Sequence, residues 1–197
     1  MKIHTYKNYE EYVDYQTKGN KADALGQWCK RDEIKFLSDY LLKDFGGYFE
    51  LKRGICHGTK QGNEQRWFKE FTGAAVLGTE ISDTAEQYPN TIQWDFHTVK
   101  SEWIDSIDFI YSNALDHSYD PQGCLKSWMS CIKKTGCCIL EWTLCHTIEH
   151  SSMIDPFGAT REEYEKLIID CGYKVKEILK YKSNECCHDK IFFIVTH

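Results

Sequence analysis

Two strand-like runs, residues 173–182 and 190–197, stand near the end of the sequence with only about seven residues between them, Ser183-Asn-Glu-Cys-Cys-His-Asp. A crossover to a parallel neighbour needs a dozen or more residues, so these runs must pair as an antiparallel hairpin. The chain ahead of them reads differently. Strand signals at 48–56, 74–79, 91–95, 106–112 and 136–141 are interleaved with helical patterns at 64–71 and 122–133, and a further helix at 160–171 leads into the hairpin. Strands alternating with helices imply crossovers and a mostly parallel sheet. The expected fold is therefore α/β: a doubly wound, mostly parallel sheet finished by a C-terminal antiparallel hairpin.

Residues 6–45 have no strand signal. Tyr9, Tyr12 and Val13 share a helical face, and after a Gly19-Asn-Lys break Ile34, Phe36, Leu37, Tyr40 and Leu41 recur at helical spacing until Gly46-Gly47. Residues 1–45 are read as an N-terminal helical cap, too small to fold alone, on a core of 46–197. The 197 residues suit a single domain. The tyrosine-rich helices and Trp28 are expected either to close over a pocket as a lid or simply to pack on the core.

No apolar run approaches the roughly 18 residues of a membrane span, and the start, Met1-Lys-Ile-His-Thr-Tyr-Lys, lacks a signal-peptide core. The formal charge of −6 argues against long nucleic acid as a partner. None of the ten cysteines is spaced Cys-x2-Cys, and Cys137, Cys138 and Cys171 lie inside apolar runs. They read as small core side chains in a reduced, cytoplasmic compartment.

Open parallel sheets bind ligands beyond the carboxyl ends of their strands. The first such segment is Gly54-Ile-Cys-His-Gly-Thr-Lys-Gln-Gly-Asn-Glu, a glycine loop leading into a helix. The second, Gly78-Thr-Glu, puts a carboxylate 22 residues past Gly58, where it can accept both hydroxyls of a ribose. The third, Trp94-Asp-Phe, offers an acceptor between aromatic faces, suited to an adenine.

Taken in order with Ile107-Asp-Phe-Ile-Tyr-Ser-Asn-Ala-Leu-Asp-His-Ser-Tyr-Asp-Pro and the Lys134-Thr-Gly turn ahead of Ile139, these segments resemble the class I S-adenosylmethionine-dependent methyltransferases over residues 47–197. The resemblance implies a Rossmann-like core, with the reversed hairpin at its end, and S-adenosyl-L-methionine as cofactor. It places Cys56, His57, Gly58, Thr59 and Gly62 around the methionine part and Glu80, with Ile81 beside it, on the ribose. Asp95 and Phe96 would face the adenine, and Asn113 the cofactor beside the reacting centre. The loop departs from the family's acid-x-Gly-x-Gly-x-Gly: Arg53 or Gly54 stands where the acid belongs and Cys56 where the first glycine belongs.

A hydroxyl acceptor loses a proton as its oxygen attacks, and imidazole is the usual base near neutral pH, which makes His117 the catalytic candidate, oriented or replaced by Asp116. Glu141, His146 and His150, with Glu149 and Asp155 nearby, form a second polar cluster expected at the substrate entrance. His146 and His150 would share a face if helical, as some metal sites require. No metal is assigned, although a divalent ion shared with Asp116 is conceivable. Cys186, Cys187 and His188 fall in the terminal hairpin, at the far end of the sheet from the expected pocket, and receive no chemistry. The reading is O-methylation of a small polar acceptor, with a sugar or glycan hydroxyl favoured. Two alternatives are kept: a nonenzymatic S-adenosylmethionine-binding regulatory module, because the glycine loop is eroded, and a nicotinamide-dependent oxidoreductase, because a glycine loop followed by an acid is shared.

Overall fold

The computed structural model describes residues 1–23, 26–47, 50–183 and 189–197. Within them the chain runs β1 (Lys2–Ile3), α1 (Tyr9–Ala22), α2 (Arg31–Asp44), β2 (Arg53–His57), α3 (Asn63–Thr72), β3 (Ala75–Glu80), β4 (Thr91–Gln93), β5 (Ile107–Ser112), α4 (Pro121–Cys131), β6 (Ile132–Trp142), β7 (Phe157–Gly158), α5 (Arg161–Asp170), β8 (Lys174–Tyr181) and β9 (Lys190–Thr196). Seven strands form one sheet in the order β4-β3-β2-β5-β6-β9-β8. The strands from β4 to β6 pair in parallel, and β9 is inserted antiparallel to both β6 and β8. β1 and β7 make a separate two-stranded antiparallel ribbon. Among the described residues no helix is long and apolar enough to cross a membrane.

β5 is buried along its length except at Asp108, because both faces of the sheet are covered. Phe109 and Tyr111 point to one face, where α2 and α3 bring Ile34, Leu37, Leu41 and Phe68. Ile110 points to the other, where α4 and α5 bring Leu125, Trp128, Leu167 and Ile168. The helix starts follow local chemistry. Asn8 caps α1 by accepting from the Glu11 N–H, Asp120 caps α4 ahead of Pro121, and Thr160 forms a capping box with Glu163 on α5.

Several expectations are corrected. The first core strand begins at Arg53 rather than at 48, since the Asp108 carboxylate takes the Lys52 and Arg53 N–H groups at 2.8 Å each; Tyr48 and Phe49 lie outside the described residues. β6 starts directly from α4 at Ile132, four residues before Gly136, and a register shift opposite Ile107 and Phe109 absorbs the extra length. α1 runs through Gly19 to Ala22, and Gly19 lets the helix pack closely on the Ile154 side chain. Segment 1–45 also divides: α2 is part of the core layer, and α1 crosses the carboxyl ends of the strands.

Gly54 in β2 is required by its neighbour, since a Cβ there would lie 2.4 Å from Cζ of the Phe109 ring. Gly54→Ala should destabilise the fold by about 1–3 kcal/mol in urea denaturation. Combining it with Phe109→Leu should cost less than the sum of the two single changes, because the smaller side chain removes the clash.

Candidate functional site

β2 and β5 are neighbours although β3 and β4 intervene in sequence, so the strand order reverses between them and a crevice opens beyond their carboxyl ends. The cavity there has a volume of about 620 Å³. Gly58, one residue past β2, has φ +69° and donates its N–H to the Thr79 carbonyl at 2.9 Å. A Cβ on it would lie 2.6 Å from the Ala114 Cβ, so the β2 and β5 loops approach each other only because residue 58 is glycine. Thr59 follows on the cavity wall, buried, with no partner for its hydroxyl among the described residues.

Glu80 ends β3 and lines the same cavity, 5% exposed. Its oxygens each accept one backbone N–H, from Lys60 and from Ser82, at 3.0 Å. Each oxygen keeps a second lone pair for a ligand. Burial raises its pKa, with those N–H bonds opposing. Asp95 is more heavily used: Oδ2 accepts from the Tyr9 hydroxyl at 2.7 Å, and Oδ1 faces the backbone N–H and Nδ1 of His97 at 2.9 and 2.7 Å. Burial pushes this carboxyl up, but the His97 hydrogen bonds and charge outweigh it, and the net pKa lies below the usual carboxylate value. Phe96 lies beside Asp95 on the wall.

At the other side of the cavity, Asp116 and His117 sit on a 3-10 turn just past β5. His117 Nδ1 lies 3.0 Å from both Gln16 Oε1 and the Ile154 carbonyl. Two acceptors hold the proton on Nδ1, which leaves Nε2 facing Asp155 Oδ1 at 3.5 Å. Burial lowers the His117 pKa, but Asp116, Asp155 and Glu80 together raise it above the ordinary value. Asp116, His117 and Asp155 each offer an atom within 4.8 Å of the others, a spacing that a metal ion could bridge.

Chain comparisons reach only the fold. No family model matches the sequence, and no curated protein matches it. Among solved structures the chain is similar to a Burkholderia thailandensis 1,6-didemethyltoxoflavin-N1-methyltransferase with 1,6-didemethyltoxoflavin and S-adenosylhomocysteine bound. The TM-score is 0.75 at 11% identity, over 98% of this chain and 92% of that one. It is also similar to the Synechocystis PCC 6803 magnesium protoporphyrin IX methyltransferase with bound S-adenosylmethionine (TM-score 0.65, 13% identity, 98% and 100% covered). A third is a TehB-like methyltransferase from Corynebacterium glutamicum (0.58, 14%, 96% and 99%). The fold is that of the class I S-adenosylmethionine-dependent methyltransferases.

In this methyltransferase fold the cavity gathers Gly58, Thr59, Glu80, Ile81, Asp95, Phe96 and Asn113 from the cofactor set. It also gathers Asp116, His117, Glu141, His146 and His150. Three expected residues are not on its wall. Cys56 and His57 still belong to β2, so their side chains go to the two faces of the sheet: Cys56 into the α2 and α3 core, His57 against Trp128 with Nδ1 2.8 Å from Thr79 Oγ1. Burial lowers the His57 pKa to about 3, so the ring is neutral. Gly62 is the left-handed cap of α3, packed on Tyr88 and Thr91.

Glu141 borders the cavity, but its Oε2 accepts from the Tyr111 hydroxyl at 2.7 Å and its Oε1 pairs with the Lys190 ammonium at 2.8 Å. His146 and His150 do not share a helical face, because extended Thr147 separates two short 3-10 turns; His146 is buried 3.7 Å from Asp116 and His150 is exposed. Cys186, Cys187 and His188 lie outside the described residues. The hairpin is nevertheless not remote from the pocket, since Lys190, the first residue of β9, lines it.

Of the two places kept open for the tyrosine-rich helices, α1 takes the one over the pocket, with Tyr12 and Gln16 on the cavity wall, whereas the buried Glu64 and Lys190 were not anticipated. Trp28, 68% exposed, stands at the rim. Lys190 reaches Glu33 at 2.9 Å as well as Glu141, and donates to the Trp28 carbonyl. Burial alone would lower its pKa, but Glu141, Cys29 and Glu33 raise it, so it is a cation at any physiological pH. Lys190→Met would leave two carboxylates buried without their counter-charge and should cost about 3–5 kcal/mol in chemical denaturation.

Proposed function

We propose that the protein is a methyltransferase that uses S-adenosylmethionine to methylate a hydroxyl oxygen of a small acceptor. The observation that carries this reading is one cavity with a buried, half-satisfied carboxylate at the end of β3 and an Asp-His pair just past β5, on opposite sides of the glycine loop. The cavity fits such a cofactor: its size is that of an ordinary small-molecule site, Gly58 leaves backbone exposed to a ligand, and the Thr59 hydroxyl and Glu80 lone pairs await partners.

When bound, S-adenosylmethionine supplies a methyl group on a positively charged sulfur, open to in-line attack. Glu80, beside Ile81, would receive the ribose hydroxyls. Asp95 and Phe96 would flank the adenine, with Tyr9 and His97 holding the Asp95 carboxylate in place. Gly58 and Thr59 would meet the methionine part, and Asn113 would lie beside the reacting centre. His117 would take the acceptor's proton on Nε2, since Nδ1 is already committed to Gln16 and Ile154. Asp116 and Asp155 would hold the charge that the imidazole gains.

For the acceptor we favour a polyol of the sugar or glycan class, because Asp116, His117, Asp155 and His150 line the mouth with hydrogen-bonding groups. A flat aromatic acceptor is the second reading, motivated by Trp28 and Ile154 at the same mouth. Incubation with S-adenosylmethionine and a panel covering both classes, read by a mass gain of one CH2, tests the proposal. Cofactor binding without product or S-adenosylhomocysteine release from any acceptor would support a regulatory module instead.

Glu80→Ala should weaken S-adenosylmethionine by roughly ten- to a hundredfold in calorimetry, because two hydroxyls lose a charged acceptor. In the parent, affinity should fall as pH drops, and the raised pKa of Glu80 should start that fall at a higher pH than an ordinary glutamate would.

His117→Ala should lower turnover by about 10²–10⁴-fold with cofactor affinity nearly intact. Because only the neutral ring accepts a proton, and its pKa is raised, parental activity should rise with pH through a midpoint above the ordinary 6.5. Asp116→Asn should retain more activity than His117→Ala if Asp116 only supports the imidazole. The reverse order would make Asp116 the base or a metal ligand, and loss of activity with chelator would select the metal.

A further inference from the structure

Glu64 is the second residue of α3, and its place is unusual for a glutamate. The residue is 5% exposed and borders the cavity, yet among the described residues Oε2 has no hydrogen-bond partner. Buried carboxylates are ordinarily paired, so an orphaned oxygen on a cavity wall marks a place for a ligand's positive group. The surroundings point the same way. Glu141 from β6 and Lys190 border the cavity beside Glu64, and Glu33 from α2 lies buried behind them; Glu33 and Glu141 share the Lys190 ammonium, so among the described residues three carboxyls stand around one cation once Glu64 is counted.

Among the described residues, the other groups that face Glu64 do not supply a counter-charge. Glu80 on β3 adds to the repulsion, and the thiols of Cys29 and Cys56 and the phenol of Tyr111 are pushed up by burial and stay neutral. Burial raises the Glu64 carboxyl to about 8, its own backbone N–H and Lys190 opposing and Glu141 adding to the rise. In β2, where the resemblance expects an acid at position 53 or 54, Arg53 is a base that reaches the Ser106 hydroxyl and Gly54 leaves no space for a side chain because the Phe109 ring occupies it.

We propose that Glu64 is the cation-receiving group of this cavity and binds the α-ammonium of the methionine moiety, in place of an acid on β2. The assignment rests on the cofactor reading above. The ligand's primary ammonium would enter as the missing cation, and Glu64 would ionise as it arrives.

The test is calorimetry of the parent, Glu64→Gln and Glu64→Asp with three probes: S-adenosylhomocysteine, its analogue lacking the α-amino group, and adenosine. Glu64→Gln should weaken S-adenosylhomocysteine by roughly ten- to a hundredfold and leave the desamino analogue and adenosine unchanged. Glu64→Asp should recover part of the loss. Titrations near neutral pH in buffers of different ionisation enthalpy should show more proton release with S-adenosylhomocysteine in the parent than in Glu64→Gln, where only the Glu80 contribution remains; equal release would overturn the assignment. Equal weakening of all three probes, or of none, would overturn the assignment while leaving the cofactor reading intact. A parent that binds none of the three would overturn the cofactor reading and this assignment with it. Coincident thermal melts of parent and variant would confirm that both are folded.

Discussion

β2 and β5 lie side by side in the sheet, and the loops that leave them meet at Gly58 and Ala114 with no space for one more methyl group. The other features of the pocket are arranged around that approach. Pairing of β2 with β5 sends β3 and β4 to one side and β6, β9 and β8 to the other, so chain leaving the strand ends diverges to either side of a crevice. Glu80 reaches the crevice because β3 is in register with β2, Thr79 opposite His57, which puts the carboxylate one residue beyond the neighbouring strand's end. Asp116 and His117 reach it because β5 ends at Ser112 and a short turn follows.

The order of the sheet, and with it the placing of Gly58, Glu80 and Asp95 at strand ends, was legible in the sequence because it depends on local spacing. Apolar runs of strand length, helical periodicity between them and a short final connection suffice to order the elements, and chemistry at strand ends follows from that order. Errors arose where a residue's role depends on which side of a strand end it falls. Cys56 and His57 read as loop but are still strand, so their side chains are claimed by the two faces of the sheet. His146 and His150 have helical spacing, but the extended backbone at Thr147 breaks the helix that the spacing presumes.

The two N-terminal helices show why amphipathic pattern alone does not locate a helix. Each is 14 residues long, but α2 buries Ile34, Leu37 and Leu41, which belong in a core, whereas α1 buries Tyr12 and Gln16, whose polar tips need partners. Tyr12 finds the His117 carbonyl, and Gln16 spans the His117 ring and the Ile154 carbonyl. A helix with that face belongs over a polar cavity. Lys190 was invisible for another reason: its partners come from elements far apart in sequence, Glu33 being 157 residues away, and Glu64 is brought to the same end of the cavity by the same packing.

β9 runs against the parallel strands of the sheet, so it delivers its first residue to the edge where they deliver their last. After Lys190 the strand reads Ile191-Phe-Phe-Ile-Val, buried on both faces, with no polar and apolar alternation to tell one register from another. A slide along β6 by two residues would keep every side chain on its own face and still bury an apolar run. It would also pull the ammonium out from between Glu33 and Glu141 and leave three charges buried apart. Lys190 thus works as a register pin: a charge at the head of the strand fixes the alignment that a uniformly greasy run leaves undetermined.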